Sequence, residues 1–418
     1  MKEKIKALIK HPLFSGSVVL MVGSMVANVI NYVYHLLMGR ILGPSDYGVL
    51  ASLFSIFYII GIVPLSTSVA IAKFISSAKD NRELQETYQG IKDFIFKLAF
   101  MLSLILAILT PFISKFLHIS NVSSVFLLTP ILFISLLTLV NQATSQGRIN
   151  FFGFVVPSIV SSLAKLVFGL ILVFLGFSVF GAMAGIVISA LLAFMVSLRY
   201  VKDIKTRKNK TKFNMKPFVK FALPVLLQSL AFTSFFTIDL ILVKHFLTAY
   251  QAGLYAALST LGKIIYFAVS PISSAMFPII SKKKSLGEKY SNIFLISLIA
   301  TLLISLVIVV IYFFLPNLAI GVLYGKDYLV VSKELVWMGI FMFFYTASFV
   351  IVNYMLSIGI TKVVAIPLLG ALVQIGSIIY MHGSILEVIK VSLFTMLGMF
   401  MVLISYLLYN RLTEDGKE

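Results

Sequence analysis

Two lysines lie in the middle of long apolar segments, where a charged side chain needs a specific reason to be. Lys165 and Lys263 each lie inside an apolar run of membrane-spanning length. A cation at the centre of a bilayer costs about 2.5–3.5 kcal/mol on insertion scales, so we expect each lysine to face water or a polar partner. Cations in that position would attract an anionic group that has to cross the hydrocarbon layer.

Hydroxyl groups share the predicted helical faces of both lysines. Ser158 and Ser161 precede Lys165 at the spacing i, i+3, i+7, which places all three on one side of a helix. Around Lys263 the same face carries these residues: Ser259, Tyr266, Ser270 and Ser273. This spacing predicts that each lysine lines a polar cavity.

A further polar stripe is predicted in the first apolar segment and has a counterpart in the seventh. The two stripes have identical spacing at an offset of 204: Ser24, Asn28, Asn31 and His35, then Gln228, Phe232, Phe235 and Asp239. Polar residues at both ends suggest that the two helices face one aqueous space. Each residue also has a structural alternative: Lys263 pairs with Asp239, His35 makes a hydrogen bond rather than carrying a proton, and the amides link helices.

Composition places the chain in lipid. Of its 418 residues 60% are hydrophobic and only 12% charged, whereas a soluble domain carries about 25% charged residues. Backbone in hydrocarbon must satisfy its own hydrogen bonds, so each long apolar run is predicted to be a helix. We count twelve runs and expect an all-α polytopic membrane protein.

A similar short polar interruption between two apolar runs occurs twice, half a chain length apart. Between residues 38–50 and 243–255, Leu42 matches Leu247 and Gly48 matches Gly253 at an offset of 205. This repeat predicts two six-helix bundles of equal orientation, related by a pseudo-two-fold axis along the membrane normal. The predicted boundaries are a first bundle at 1–200, a basic cytoplasmic linker at 201–216 and a second bundle at 217–418.

The distribution of basic residues predicts the orientation. With both termini in the cytoplasm, 26 of the 34 lysines and arginines fall in cytoplasmic segments. The net charge of +19 is then a topology signal that also favours anionic membrane lipids, and not nucleic acid, as a partner. We expect a multi-pass protein of the cytoplasmic membrane.

Several chemistries are excluded by missing residues. The chain has no cysteine, and it lacks the phosphate-binding loop, the zinc-protease motif and the serine-hydrolase elbow. Among its 15 acids, only Asp239 lies clearly inside an apolar run. We therefore expect no enzyme activity, no cofactor and no metal site.

Residues 39–56, GRILGPSDYGVLASLFSI, follow a basic N-terminus and one apolar run. This opening resembles the polysaccharide biosynthesis family, which comprises flippases for lipid-linked oligosaccharides within the multidrug/oligosaccharidyl-lipid/polysaccharide exporter superfamily. The residues that carry the resemblance are Arg40, Leu42, Gly43, Asp46, Tyr47 and Gly48.

The resemblance implies two bundles in a V around a cavity. That cavity would accept a polyprenyl-pyrophosphate-linked sugar and move it across the membrane by alternating access. Family members often line the cavity with cations, and Lys165, Lys263 and Arg40 are the candidates here. The resemblance also implies glycan-assembly enzymes of the same pathway as candidate partners.

Two other function classes remain open at this point. An ion-coupled multidrug exporter would share the fold, but a pore for organic cations calls for carboxylates, and this one has lysines. A membrane enzyme of glycan assembly would need a large outer loop, and the longest one predicted, near 316–334, is short.

Overall fold

The computed structural model describes residues 12–204 and 215–415, and every regular element within them is helical. The predicted linker, 201–216, lies largely outside the described residues. The all-α expectation is confirmed. The α-helices of the N-terminal half are α1 Pro12–Ile60, α2 Ile62–Ser76, α3 Asn81–Phe116, α4 Val122–Phe126, α5 Leu128–Gly147, α6 Phe151–Leu172 and α7 Ser178–Arg199.

The C-terminal half continues with eight α-helices and two 3-10 segments. Its α-helices are α8 Met215–Ser234, α9 Ile238–Phe246, α10 Ala249–Ser285, α11 Ser291–Phe314, α12 Pro316–Leu323, α13 Leu335–Ser357, α14 Ala365–Tyr380 and α15 Ile385–Asp415. The 3-10 segments are Lys326–Glu334 and Thr361–Val364.

Nine described helices are long and apolar enough to cross a membrane, and the bent pair of α8 and α9 makes ten. Two of the ten are interrupted by a glycine with positive φ, Gly43 in α1 and Gly176 between α6 and α7. Only glycine takes this left-handed geometry without strain. Counting each interrupted helix as two spans makes the structure compatible with the twelve predicted.

The chain folds into two compact units. The first contains the described residues of Met1–Leu42 together with Ile56–Ser229, and the second contains Gly43–Ser55 together with the described residues of Leu230–Glu418. The short segment after the Gly43 break therefore packs with the C-terminal half, although it precedes most of the N-terminal half in sequence. The boundaries at residues 200 and 217 stay a prediction.

Polar contacts hold the first unit together inside its apolar core. The Tyr88 hydroxyl on α3 donates to Asn141 Oδ1 on α5 at 3.1 Å, and Asn141 Nδ2 donates to Ser197 Oγ on α7 at 2.9 Å. Helices α6 and α7 form a closely packed hairpin. A Cβ on Gly185 of α7 would lie 2.5 Å from the Gly169 nitrogen of α6, so the two backbones touch through glycine.

In the second unit, α13 is the central helix. It packs against α10, α11 and α15 and is buried along most of its length. Helix α10 begins with a capping box, in which Thr248 Oγ1 accepts the Gln251 N–H at 3.2 Å and Gln251 Oε1 accepts the Thr248 N–H at 3.1 Å. The second copy of the repeated polar interruption, residues 243–255, thus contains the start of a helix.

Candidate substrate-binding site

Lys165 of α6 lies in the core of the first unit, 9% exposed, with its ammonium 4.7 Å from the centroid of the Tyr34 ring. Tyr34 of α1 is fully buried, and its hydroxyl donates to the Ala182 carbonyl of α7 at 3.4 Å. One turn after Lys165, a Cβ on Gly169 would lie 2.9 Å from the Tyr34 ring. Gly169 therefore makes the room that lets the ring lie beneath the ammonium.

The predicted stripe on α1 lies on the other side from this core. Ala27 and Tyr34 are buried, whereas Asn28 is exposed and Asn31 and His35 are half-exposed. The His35 ring lies edge-on to Tyr34, with 5.8 Å between the centroids. Arg40, three residues before the Gly43 break, is exposed. Within the first unit, Asn28 thus lies on the exposed side of α1, whereas Asn31 and His35 are only partly exposed.

In the second unit, Asp239 is buried at 1% exposure at the start of α9. Its carboxylate accepts the Tyr255 hydroxyl of α10 at 2.6 Å and the Leu240 N–H at 2.7 Å. The carboxylate also interacts electrostatically with Lys263. Two hydrogen bonds to a buried carboxylate make this a well-satisfied site.

Lys263 lies two turns after Tyr255 on α10 and is half-exposed. Its ammonium lies over the Phe236 ring, 5.0 Å from the centroid. Ser259, one turn before it, is buried, and Tyr266, one turn after it, is half-exposed. The ammonium therefore has an aromatic neighbour, and the side chain as a whole is partly exposed.

Five aromatic rings form a cluster in the second unit that reaches Lys263 through Phe236. Tyr266 is the centre of the group, with centroids 6.2 Å from Phe236, 5.8 Å from Tyr345 and 5.5 Å from Phe349. Phe232 adds an edge-on contact to Tyr345 at 5.6 Å. Phe236, Tyr266 and Phe349 are partly exposed, so the cluster presents an aromatic surface beside Lys263.

The stripe predicted in the seventh apolar segment is interrupted by a break between two helices. Helix α8 ends at Ser234 and α9 begins at Ile238, and the pair is bent by 42°. The spacing from Gln228 to Asp239 assumed one continuous helix, and that assumption is wrong. Gln228 remains on α8, half-exposed, whereas Asp239 points into the core of the second unit.

The break leaves backbone carbonyls that need donors, because lipid supplies none. The Phe232 carbonyl accepts the Tyr345 hydroxyl at 3.3 Å, and the Phe235 carbonyl accepts Gln374 Nε2 of α14 at 3.1 Å. Gln374 Nε2 also donates to Ser392 Oγ of α15 at 2.8 Å. These side-chain hydrogen bonds stabilise the bend. Phe236, within the bend, contacts the Lys263 ammonium, whereas Asp239, which follows it, is buried in the core.

The predicted residues thus form two groups, one in each unit. Lys165, Asn28, Asn31 and His35 belong to the first, and Ser259, Lys263, Tyr266 and Asp239 to the second. Sequence reasoning missed Tyr34, Tyr255 and three rings of the aromatic cluster, those of Phe236, Tyr345 and Phe349. Tyr255 carried a usable signal, since it extends the spacing of Ser259 and Lys263 by one turn toward the N-terminus.

The chain is similar to known proteins in sequence and in structure. The profile of a family described as polysaccharide biosynthesis protein matches residues 13–284. An uncharacterized membrane protein of Methanocaldococcus jannaschii is 25% identical over 304 residues, which cover 66% of this chain and 69% of that protein.

Solved structures with a similar fold include several transporters of the MOP superfamily. A multidrug resistance transporter of the MATE family, in its inward-facing conformation, matches with a TM-score of 0.77 and 14% identity over 96% of this chain and 98% of that one. The lipid II flippase MurJ, in an inward closed conformation, also matches with a TM-score of 0.77 and 14% identity, covering 93% and 87%.

A third similar structure is a MOP superfamily transporter from Pyrococcus furiosus whose binding pocket has a reverse polarity that suggests a different function. It matches with a TM-score of 0.63 and 17% identity over 97% of this chain and 96% of that one. At these identities the likeness concerns the fold alone.

Proposed function

Because the chain belongs to the polysaccharide biosynthesis protein family, we propose that it flips a lipid-linked oligosaccharide or polysaccharide precursor across the cytoplasmic membrane by alternating access. The observation that carries this proposal is the pair of lysines within the apolar helices, each with its ammonium over an aromatic ring, Lys165 on Tyr34 and Lys263 on Phe236. A ring contact does not cancel positive charge, so both sites favour an anion.

The chemistry of the cargo matches these two sites. A pyrophosphate cannot cross hydrocarbon alone, and lysines lower that barrier while binding weakly enough to release it. The partly exposed faces of Phe236, Tyr266 and Phe349 beside Lys263 suit sugar rings, because the negative face of an aromatic ring attracts the C–H groups of a sugar. A lipophilic organic cation would meet repulsion at both lysines.

The test is lipid movement by the whole chain in proteoliposomes. We expect the wild type to move a fluorescent polyprenyl-pyrophosphate oligosaccharide between leaflets. Lys165→Ala and Lys263→Ala should each reduce the rate by about tenfold or more, because one lost charge-assisted contact is worth roughly 1.5–3 kcal/mol. Lys165→Arg and Lys263→Arg should keep part of it.

The matched control is Lys333→Ala, which removes an exposed lysine from the Lys326–Glu334 segment. It should leave the rate unchanged. Export of a cationic dye without movement of the lipid-linked sugar would instead establish the multidrug alternative, for which the fold is equally suited. Both termini are expected in the cytoplasm, so only molecules inserted in that orientation count.

A further inference from the structure

A groove of about 490 Å³ lies in the second unit where α14 ends and α15 begins. One wall is apolar and contains Met381, Val391 and Phe394. The groove also contains five polar side chains, which is unusual for a surface that faces lipid: Ser377, Ser384, Glu387, Lys390 and Thr395. The groove is separate from the aromatic cluster and from both lysines of the proposed transport site.

The polar groups of this groove have spare hydrogen-bonding capacity. Lys390 has its ammonium 5.4 Å from the centroid of the Trp337 ring, and among the described residues it makes no hydrogen bond and no ion pair. Glu387 accepts the Gly383 N–H at 2.7 Å through Oε2, and its Oε1 has no partner within the described part of the chain. The two charges therefore do not neutralise each other directly.

The hydroxyls of Ser377 and Thr395 add two donors, whereas Ser384 Oγ accepts the Glu387 N–H at 3.2 Å. Neither Ser377 nor Thr395 makes a side-chain hydrogen bond to another described residue. A helical serine or threonine in an apolar environment can bond to the carbonyl four residues earlier, as Ser405 does with Met401 at 3.0 Å. An ammonium, two hydroxyls and a carboxylate oxygen thus point to an occupant that carries both a strong acceptor and a cation.

The groove lies at the level where lipid headgroups are expected. Trp337, at the start of α13, is 37% exposed, and Tyr380, the last residue of α14, is 88% exposed. Amphipathic aromatic rings concentrate at the membrane–water boundary. Phe394, 64% exposed, lies nine residues into α15, about 13 Å along the helix and so within the acyl region.

We propose that this groove binds a bilayer phospholipid with an ethanolamine headgroup. Its phosphate lies against Lys390 and the hydroxyl of Ser377, its ammonium against Glu387, and the ester and acyl part of one chain along Thr395 and Phe394. Glu387 and Lys390 are three residues apart on one helix, about 4.5 Å in rise, and this suits a headgroup whose opposite charges are two carbons apart.

Native mass spectrometry of the purified full chain tests this. We expect dioleoylphosphatidylethanolamine to remain bound about tenfold more tightly than dioleoylglycerol, which has the same chains and no phosphate. Lys390→Gln should abolish that difference, and the milder Ser377→Ala should reduce it in a chain of unchanged melting temperature. Lys333→Gln, an exposed lysine outside the groove, is the matched control and should bind as the wild type does.

A separate comparison tests the contact between the lipid amine and Glu387. Dioleoylphosphatidylglycerol carries phosphate without an amine, so the wild type should prefer ethanolamine and Glu387→Gln should lose the preference. Equal retention of dioleoylglycerol, or unchanged lipid binding in Lys390→Gln, would overturn the site. Equal binding of the two phospholipids by the wild type would overturn its assignment to ethanolamine.

Discussion

Gly48 and Gly253, the matching glycines of the two repeats, lie against each other in the second unit. A Cβ on Gly48 would lie 2.6 Å from the Gly253 nitrogen, and a Cβ on Gly253 would overlap the Pro44 carbonyl oxygen. The two repeated segments therefore also contact each other. The part of α1 that follows the Gly43 break packs against α10, backbone against backbone. Beside it, the Tyr47 hydroxyl is 3.2 Å from that of Tyr324 and 3.4 Å from Thr260 Oγ1.

This contact predicts that neither glycine tolerates a methyl group. Gly48→Ala and Gly253→Ala should each cost about 1–3 kcal/mol, because the clashing atoms are backbone and have no rotamer to change. The measurement is chemical denaturation in mixed micelles. Gly376→Ala on α14, where an added Cβ meets nothing within 4 Å, is the control and should be neutral or slightly stabilising. Equal stability of all three variants would contradict the close contact.

A second prediction concerns the buried carboxylate. Tyr255→Phe removes a 2.6 Å hydrogen bond to Asp239 and should cost about 1.5–3 kcal/mol, the range for hydrogen bonds to charged groups. Tyr312→Phe is the comparison, because that buried hydroxyl donates to the neutral Leu261 carbonyl at 2.7 Å and should cost about 0.5–1.5 kcal/mol. In an Asp239→Asn background, Tyr255→Phe should cost less. An unchanged loss of stability in the Asp239→Asn background would show that the hydrogen bond to the carboxylate does not cause the effect.

A third prediction is a pH dependence of stability at the C-terminal end of α7. The Arg148 guanidinium donates to both Asp203 oxygens, at 3.1 and 2.5 Å, and these hydrogen bonds lower the pKa of the Asp203 carboxyl below its ordinary 3.8. A lowered folded pKa stabilises the fold above the unfolded pKa, and the gain is lost as the pH falls through the folded value.

The corresponding variant is Asp203→Asn. Because both side chains are partly exposed, it should lower stability near neutral pH by no more than about 1 kcal/mol. Melting temperatures measured in detergent should differ between the wild type and the variant at pH 6 and converge as the pH falls below the lowered pKa of Asp203 in the folded protein. A difference that persists at low pH would assign the effect to packing instead.

A fourth prediction is the topology. The native chain has no cysteine, so single cysteines can be introduced without background. Ser45→Cys lies in the predicted outer segment and Glu288→Cys in the inner loop after α10, and both positions are exposed. An impermeant thiol reagent should label the first in intact cells and the second only after permeabilisation. The opposite pattern would reverse the orientation assigned from the basic residues.

The sequence by itself determined the membrane class, the helical architecture and the family. Those features depend on local chemistry: apolar runs long enough to cross lipid, and the motif within residues 39–56. It also singled out both lysines, because a cation inside an apolar run is conspicuous without knowledge of its neighbours.

The tertiary structure decided what each of these residues touches. The aromatic partners Tyr34 and Phe236 are ordinary apolar-span residues in sequence, and only packing brings their rings beneath an ammonium. The break after Ser234 turns Asp239 into the core, and no helical periodicity can show this because the bend is held by Tyr345 and Gln374, more than a hundred residues away. Contacts of that separation depend on how helices pack, and packing is a property of the whole chain.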